Sequence, residues 1–379
     1  MLKIQTKIRS FAVAQPDQAP PQLPTNPSTN GIAERRLRFD VIPKPAEESL
    51  RFIHRPNDPT GHDGRIYLID APEGAFSVTV VQTKEGEPFE VWLQGDKMPR
   101  GLESVAKNLS LDMRSIDRGF LLRKLEALKK VEGERFQMLC PDGVERRMKG
   151  AIEAFATVVE HRLRELGCFT PEVLAKTPML DAMISQREPE CPEGGGPAWH
   201  VPVHNTSTDD KFMLFIREGE TPNGQVIPIS IWFAGRLPRS FEGIQKLLSI
   251  DMRIVDPYWI GRKLTQLTDI GEKNAEFWAP IPGSEPKQRC YPSTLAYVAD
   301  VLLNWYAARG LLTRDGRPLK DNGVVQLALF RHREDAPATL VAEAGIKGGT
   351  DCASCSAIAS CVLLDGCRVC TQCAASHCG

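Results

Sequence analysis

One stretch of this chain is written twice. Pro99–Leu128 and Pro238–Leu267 align without a gap at an offset of 139 and share 14 of 30 residues, where about two would match by chance at average composition. The core of the match is Leu109-Ser110-Leu111-Asp112-Met113-Arg114 against Leu248-Ser249-Ile250-Asp251-Met252-Arg253, and Arg123-Lys124-Leu125 answers Arg262-Lys263-Leu264. Upstream, Pro88, Trp92 and Gly95 match Pro228, Trp232 and Gly235. A period near 140 residues is too long for a solenoid unit. It predicts a duplicated domain, and 379 residues leave room for both copies and more.

Each copy reads as α+β, a small antiparallel sheet with helices. Ala75–Gln82 and Phe89–Leu93 alternate like two strands around a Glu85-Gly86-Glu87 turn, and Lys211–Arg217 and Val226–Phe233 repeat this around Pro222-Asn223-Gly224. Leu102, Val105, Ala106 and Leu109 make one apolar helix face, as do Phe241, Ile244, Leu247 and Leu248. Second helices are expected near 117–129 and 257–268, and third helices near 149–166 and 293–308. Gly167 and Gly310 stand where left-handed C-terminal caps belong. Within this frame, Asp112, Arg114 and their counterparts Asp251 and Arg253 read as helix-end charges that pair or cap. Trp92 and Trp232 read as core anchors, and Arg123-Lys124 and Arg262-Lys263 as solvated helix faces.

Composition breaks mark the boundaries. Residues 1–40 read as a flexible lead rich in Pro, Gln, Asn and Ser. Residues 41–190 form the first repeat. The Pro- and Gly-rich 191–198 segment is a linker, 199–333 the second repeat, 334–350 a Gly-containing tether, and 351–379 a cysteine tail.

The charges are balanced, 47 basic against 48 acidic, which gives no footprint for nucleic acid. No apolar run is long enough for a transmembrane helix. Met1–Ala14 lacks the apolar block of a secretory signal and is too short and Ser-poor for a transit peptide. A cytoplasmic protein is expected. No nucleophile elbow, phosphate-binding Gly-rich loop or zinc-protease helix motif occurs. His200 and His204 are separated by Pro202, which disfavours a helix. On a strand they would stand about 13 Å apart, too far to share an ion.

Seven of the eleven cysteines lie between Cys352 and Cys378. In a reducing compartment such clustering points to metal or redox chemistry. Cys352 and Cys355, then Cys367 and Cys370, are two Cys-x2-Cys pairs that can supply four thiolates to a tetrahedral zinc ion. An iron–sulfur cluster is the alternative. So few large apolar residues can scarcely fold without a metal. Cys361, Cys373 and Cys378 remain. Cys373 and Cys378 can close a small disulfide loop suited to thiol exchange. Equally, Cys373 can replace a member of the second pair, and Cys361 can be a ligand.

The tail resembles the C-terminus of adenosylcobalamin-dependent (class II) ribonucleotide reductases. That family ends in a Cys-Pro-x-Cys-Gly knuckle followed by Gly-Cys-x-x-Cys-x-x-Cys-Gly-x-Ser-x-Cys-Gly. Gly366, Cys367, Cys370, Cys373, Ser376, Cys378 and Gly379 fall on this pattern, while Ala353, Ser356 and Ala374 depart from it without removing a sulfur. The body, with Leu-Ser-x-Asp-Met-Arg and Thr177-Pro178-Met179-Leu180-Asp181-Ala182-Met183, is similar to the TSCPD domain of that family and to its separately encoded small subunit. The resemblance covers roughly residues 65–379. It implies two tandem TSCPD-like copies and a zinc-ribbon-like tail, with zinc on Cys352, Cys355, Cys367 and Cys370. It also implies that Cys373 and Cys378 shuttle electrons from thioredoxin or glutaredoxin to a large catalytic subunit, which alone holds adenosylcobalamin. A non-catalytic zinc-binding interaction or regulatory protein derived from that subunit is the second reading. A nucleic-acid-binding ribbon is disfavoured, because only Lys347 and Arg368 are basic between Gly345 and Gly379.

Overall fold

In the computed structural model, residues 46–318 are described except 192, 197, 221–225 and 285, together with three short strands between 361 and 378. One succession of elements occurs twice. A meander of β1 (Asp63–Ala71), β2 (Gly74–Gln82) and β3 (Pro88–Gln94) leads into α1 (Leu102–Met113) and α2 (Arg118–Leu128). The hairpin β4 (Phe136–Leu139) and β5 (Glu145–Met148) then precedes α3 (Ala151–Glu165). The short helices α4 (Pro171–Leu174) and α5 (Pro178–Asp181) connect the halves. The second half follows as β6 (Ala198–Asn205), β7 (Asp210–Glu220), β8 (Val226–Arg236), α6 (Phe241–Asp251), α7 (Pro257–Thr268), β9 (Phe277–Pro280), β10 (Gln288–Tyr291) and α8 (Thr294–Ala308). The fold is mixed α+β, with small antiparallel sheets and helices.

The expected helices and paired strands are present at the residues that define their periodicity. Alternation buries Phe76, Val78 and Val80 from β2, and Phe212, Leu214 and Ile216 from β7. Both meanders shift register at the same place, between Val81 and Gln82 and between Arg217 and Glu218, as a bulge does. Gly167 and Gly310 hold φ of 71° and 66°. Cys168 N–H donates to Leu163 O and Leu311 N–H to Tyr306 O, both at 3.0 Å, the bond that closes a left-handed helix cap.

One apolar core cluster includes side chains from both halves, among them Leu109, Phe155, Leu248 and Leu302. Helices α1, α2 and α3 of the first half meet α6 of the second where Gly243 sits. A Cβ there would stand 3.0 Å from Ile152 and 3.1 Å from Val105, so a small residue is what lets these helices approach. The counterpart of Gly243 at the 139-residue offset is Ser104, also small and fully buried.

Six strands, in two outer strands and two hairpins, lie outside the sequence expectation, as do the short helices α4 and α5. The outer strand β1 carries three charged residues and the strands of the hairpins β4–β5 and β9–β10 are four residues long, while the sequence of the outer strand β6 is interrupted by a proline. β6 contains Pro202, which an edge strand tolerates because one of its sides needs no ladder hydrogen bond.

Candidate functional site

The repeated charges do not face solvent. Lys124 and Lys263 are 0% and 1% exposed, and Asp112 and Asp251 are both 0% exposed. This corrects the reading of the Arg-Lys pairs as solvated faces: the lysine of each pair turns inward. Lys124 Nζ lies 2.9 Å from Asp112 in its own half and 2.5 Å from Asp251 in the other. Lys263 Nζ lies 2.7 Å from Asp112 and donates to Asn108 O at 2.5 Å. Trp259 Nε1–H donates to Asp251 at 2.7 Å. Two cations and two carboxylates therefore cross-pair between the halves, in the reciprocal pattern of a two-fold interface. The reading of the aspartates as charges that pair survives, with partners across the seam. Burial pushes the Asp112 carboxyl up and the Lys263 ammonium down to about 8, because both charged forms lose water.

A second reciprocal contact frames the first. Asp117 accepts from Phe120 N–H at 2.8 Å, capping α2, and from Met179 and Leu180 N–H at 2.8 and 2.9 Å at the start of α5. Asp256, 139 residues on, accepts from Tyr258 N–H at 2.9 Å, capping α7, and from Ala46 N–H at 2.8 Å. Each half thus caps its own helix and the lead-in segment of the other. Arg100 adds an exposed-side tie, 2.8 Å from Asp210 and 3.1 Å from Glu272.

The seam is a closed structural device rather than a reactive centre. Every charged head group in it is consumed by another. Among the described residues no three His, Cys, Asp or Glu side chains converge to hold a metal. No described helix is long and apolar enough to cross a membrane. His200 and His204 are both exposed on β6, and His200 packs against Phe215. The tryptophans are a further correction. Trp92 is 47% exposed, and Trp232 is half-buried, stacked on Phe215 at 5.4 Å. In each strand it is the preceding residue, Val91 or Ile231, that takes the inward position.

Cys352, Cys355 and Cys373 lie outside the described residues. The backbone around the others forms β11 (Cys361–Leu364), β12 (Cys367–Cys370) and β13 (Ser376–Cys378), an antiparallel meander. Its register sets Cys361 opposite Cys370 and Cys367 opposite Cys378. Facing positions in such a pair have Cα atoms about 4.5–5.5 Å apart. Cys361, which spacing leaves without a role, therefore stands at a cysteine-facing position. Cys367 and Cys370 lie on an extended strand, whereas a Cys-x2-Cys knuckle is a turn. Of the remaining cysteines, Cys140 and Cys168 are buried and Cys191 and Cys290 exposed, all as free thiols.

Sequence reasoning also missed an open groove of about 990 Å³ between the halves, lined by six basic side chains and two carboxylates. Its residues come from five separate segments, so no local motif announces it. Compared with models of known families, with curated proteins and with solved structures, the chain matches none.

Proposed function

We propose that this chain is a small or accessory subunit of a class II ribonucleotide reductase. In this reading it is a cytoplasmic protein whose body is two tandem TSCPD-like copies, residues 41–190 and 199–333. Its tail re-reduces the active site of a separate adenosylcobalamin-dependent catalytic subunit. The supporting observation is the cysteine spacing of Gly366–Gly379. The body fits the role by what it does with its charges: the repeated Asp and Lys residues are spent holding the halves together.

The chemistry assigned to the tail is thiol–disulfide exchange. A thiolate of the Cys373/Cys378 pair attacks the partner's disulfide and forms a mixed disulfide. The second tail thiol, deprotonated, displaces the partner's sulfur, leaving the partner reduced and the tail oxidised. Thioredoxin or glutaredoxin then reduces the tail. A zinc ion on Cys352, Cys355, Cys367 and Cys370 would fold the segment around this pair. The strand register favours a second arrangement, in which Cys361 joins Cys370 in holding the metal and Cys367 neighbours Cys378. Metal content of the purified chain separates the two. The first set predicts one zinc per chain, lost in Cys352→Ser and kept in Cys361→Ser. Loss in Cys361→Ser selects the second. A metal-free, folded chain removes the zinc reading.

The alternative is a zinc-binding interaction protein derived from such a subunit, and the knuckle departures at Ala353, Ser356 and Ala374 favour it. Recovery of a large cobalamin-binding protein with the tagged chain supports the accessory subunit; its absence supports the alternative.

A further inference from the structure

The two halves place an arginine from the Asp-Met-Arg motif beside the arginine of the other half's Arg-Lys-Leu motif. Arg114 feels the charge of Arg262, and Arg253 that of Arg123. The surroundings then differ. In the first half Glu90 on β3 lies 3.9 Å from Arg114 and 2.8 Å from Arg55, and Arg55 covers Trp92 at 5.4 Å. Arg114 thus has a carboxylate beside it, while Arg262 is held by Tyr258 Oη and Ile53 O. The strands are equivalent here, because Val91 N–H and Ile231 N–H each donate to a helix serine, Ser110 and Ser249, at 3.1 Å. The position of Glu90 is therefore taken by Ser230 in the second half.

With that carboxylate gone, Arg253 forms no direct ion pair among the described residues, although it is only 4% exposed; the charges that favour it, Glu188 and Asp251, act without a direct ion-pair contact. Its Nε–H donates to Ser185 O at 3.1 Å. Neither Arg123 nor Arg187 pairs with a described carboxylate. Arg217 shares Glu188 with Ser230, at 3.5 and 2.6 Å. Lys130 and Lys246 complete the basic lining, and Glu126 and Glu188 are the two acids. Burial and the neighbouring Arg123 charge push Arg253 down to about 10, as expected of a cation held beside another cation out of water.

We propose that this groove is a binding site for a small, multiply charged phosphate-bearing anion, held by Arg123, Arg187 and Arg253. Guanidinium groups suit such a ligand because their planar donor forks match phosphate oxygens bidentately. A ligand with two or more linked phosphates can reach several of them at once in a groove of about 990 Å³. The inference is independent of the reductase reading, since it uses no residue of the tail.

The test is calorimetric titration of the full chain with inorganic pyrophosphate at low and at 0.15 M-scale salt, with melting curves to confirm folding. Binding that weakens with salt is expected. It should fall at least tenfold in Arg253→Gln and in the more exposed Arg187→Gln, and be retained in Arg114→Gln in the covered counterpart. Ser230→Glu, which restores the first half's carboxylate without removing a cation, should also abolish it. Absence of pyrophosphate binding in the wild type, or equal binding in all folded variants, overturns the site. A polyglutamate peptide that binds and is not displaced by pyrophosphate also overturns it, and assigns the groove to an acidic protein segment.

Discussion

The two halves agree along their seam and disagree at an outer strand of each sheet. Along the seam, Asp112, Lys124 and Asp117 have the counterparts Asp251, Lys263 and Asp256, and each set makes the same kind of contact across to the other half. At the sheet edge, Glu90 has no counterpart but Ser230. A buried ion that loses its partner is costly, so the seam residues are constrained together. Glu90 and Ser230 are buried too, at 9% and 1% exposure, but they lie outside the seam, and there Glu90 pairs with Arg114 and Arg55 while Arg253 has no ion pair among the described residues. The lesson is that repetition inside this chain marks the architecture, and departure from repetition marks the place to look for a ligand.

Breaking the seam should have the largest effect. Lys124→Met leaves Asp112 and Asp251 buried with one cation between them and should cost about 3–5 kcal/mol, read as a lower denaturation midpoint. Lys263→Met should fall in the same range if the two halves are equal partners. A cost for either that is below about 1 kcal/mol would mean that the crossed ion pairs are not what holds the halves together.

A smaller, pH-dependent effect belongs to Arg100. Burial pushes Asp210 up, but hydrogen bonds from Arg100, Thr294 and Thr208, with the Arg100 charge, outweigh it and hold the carboxyl below its ordinary value of 3.8. The folded state therefore binds this proton less readily than the unfolded chain. The resulting stability is fully present above pH 3.8 and is lost as pH falls through the lower folded value. Arg100 is partly exposed, so Arg100→Met should cost about 1 kcal/mol near neutral pH. The gap to the wild type should narrow as urea melts are taken from pH 5 to about pH 2. A gap independent of pH would show that Arg100 acts through packing instead.

Much of the body is legible in the sequence. The apolar spacing of Leu102, Val105, Ala106 and Leu109 fixes a helix, and Gly167 and Gly310 fix two helix ends, because each signal is local. The inward turn of Lys124 and Lys263 is not legible. A lysine next to an arginine on an amphipathic helix reads as surface until its partner, 127 residues away in the case of Lys124 and Asp251, is known to face it. Trp92 and Trp232 mislead for a related reason. Their size suggests the core, but strand alternation gives the inward positions to Val91 and Ile231. The basic groove is invisible because balanced totals hide a local excess drawn from α2, β7, α6, Arg253 beyond its end and the 186–191 segment. For the tail, spacing supplies the expectation of thiol chemistry, while the facing of Cys361 with Cys370 and of Cys367 with Cys378 emerges only from strand register.

The proposed division of labour between a locked body and a reactive tail is tested most directly by thioredoxin-dependent NADPH oxidation with the mildly oxidised full-length chain as substrate. The account predicts turnover in the wild type and in Cys191→Ser and Cys290→Ser, the two exposed body thiols, and at least a tenfold loss in Cys373→Ser or Cys378→Ser. Undiminished turnover in both tail variants, or loss on changing Cys191 or Cys290, would contradict it.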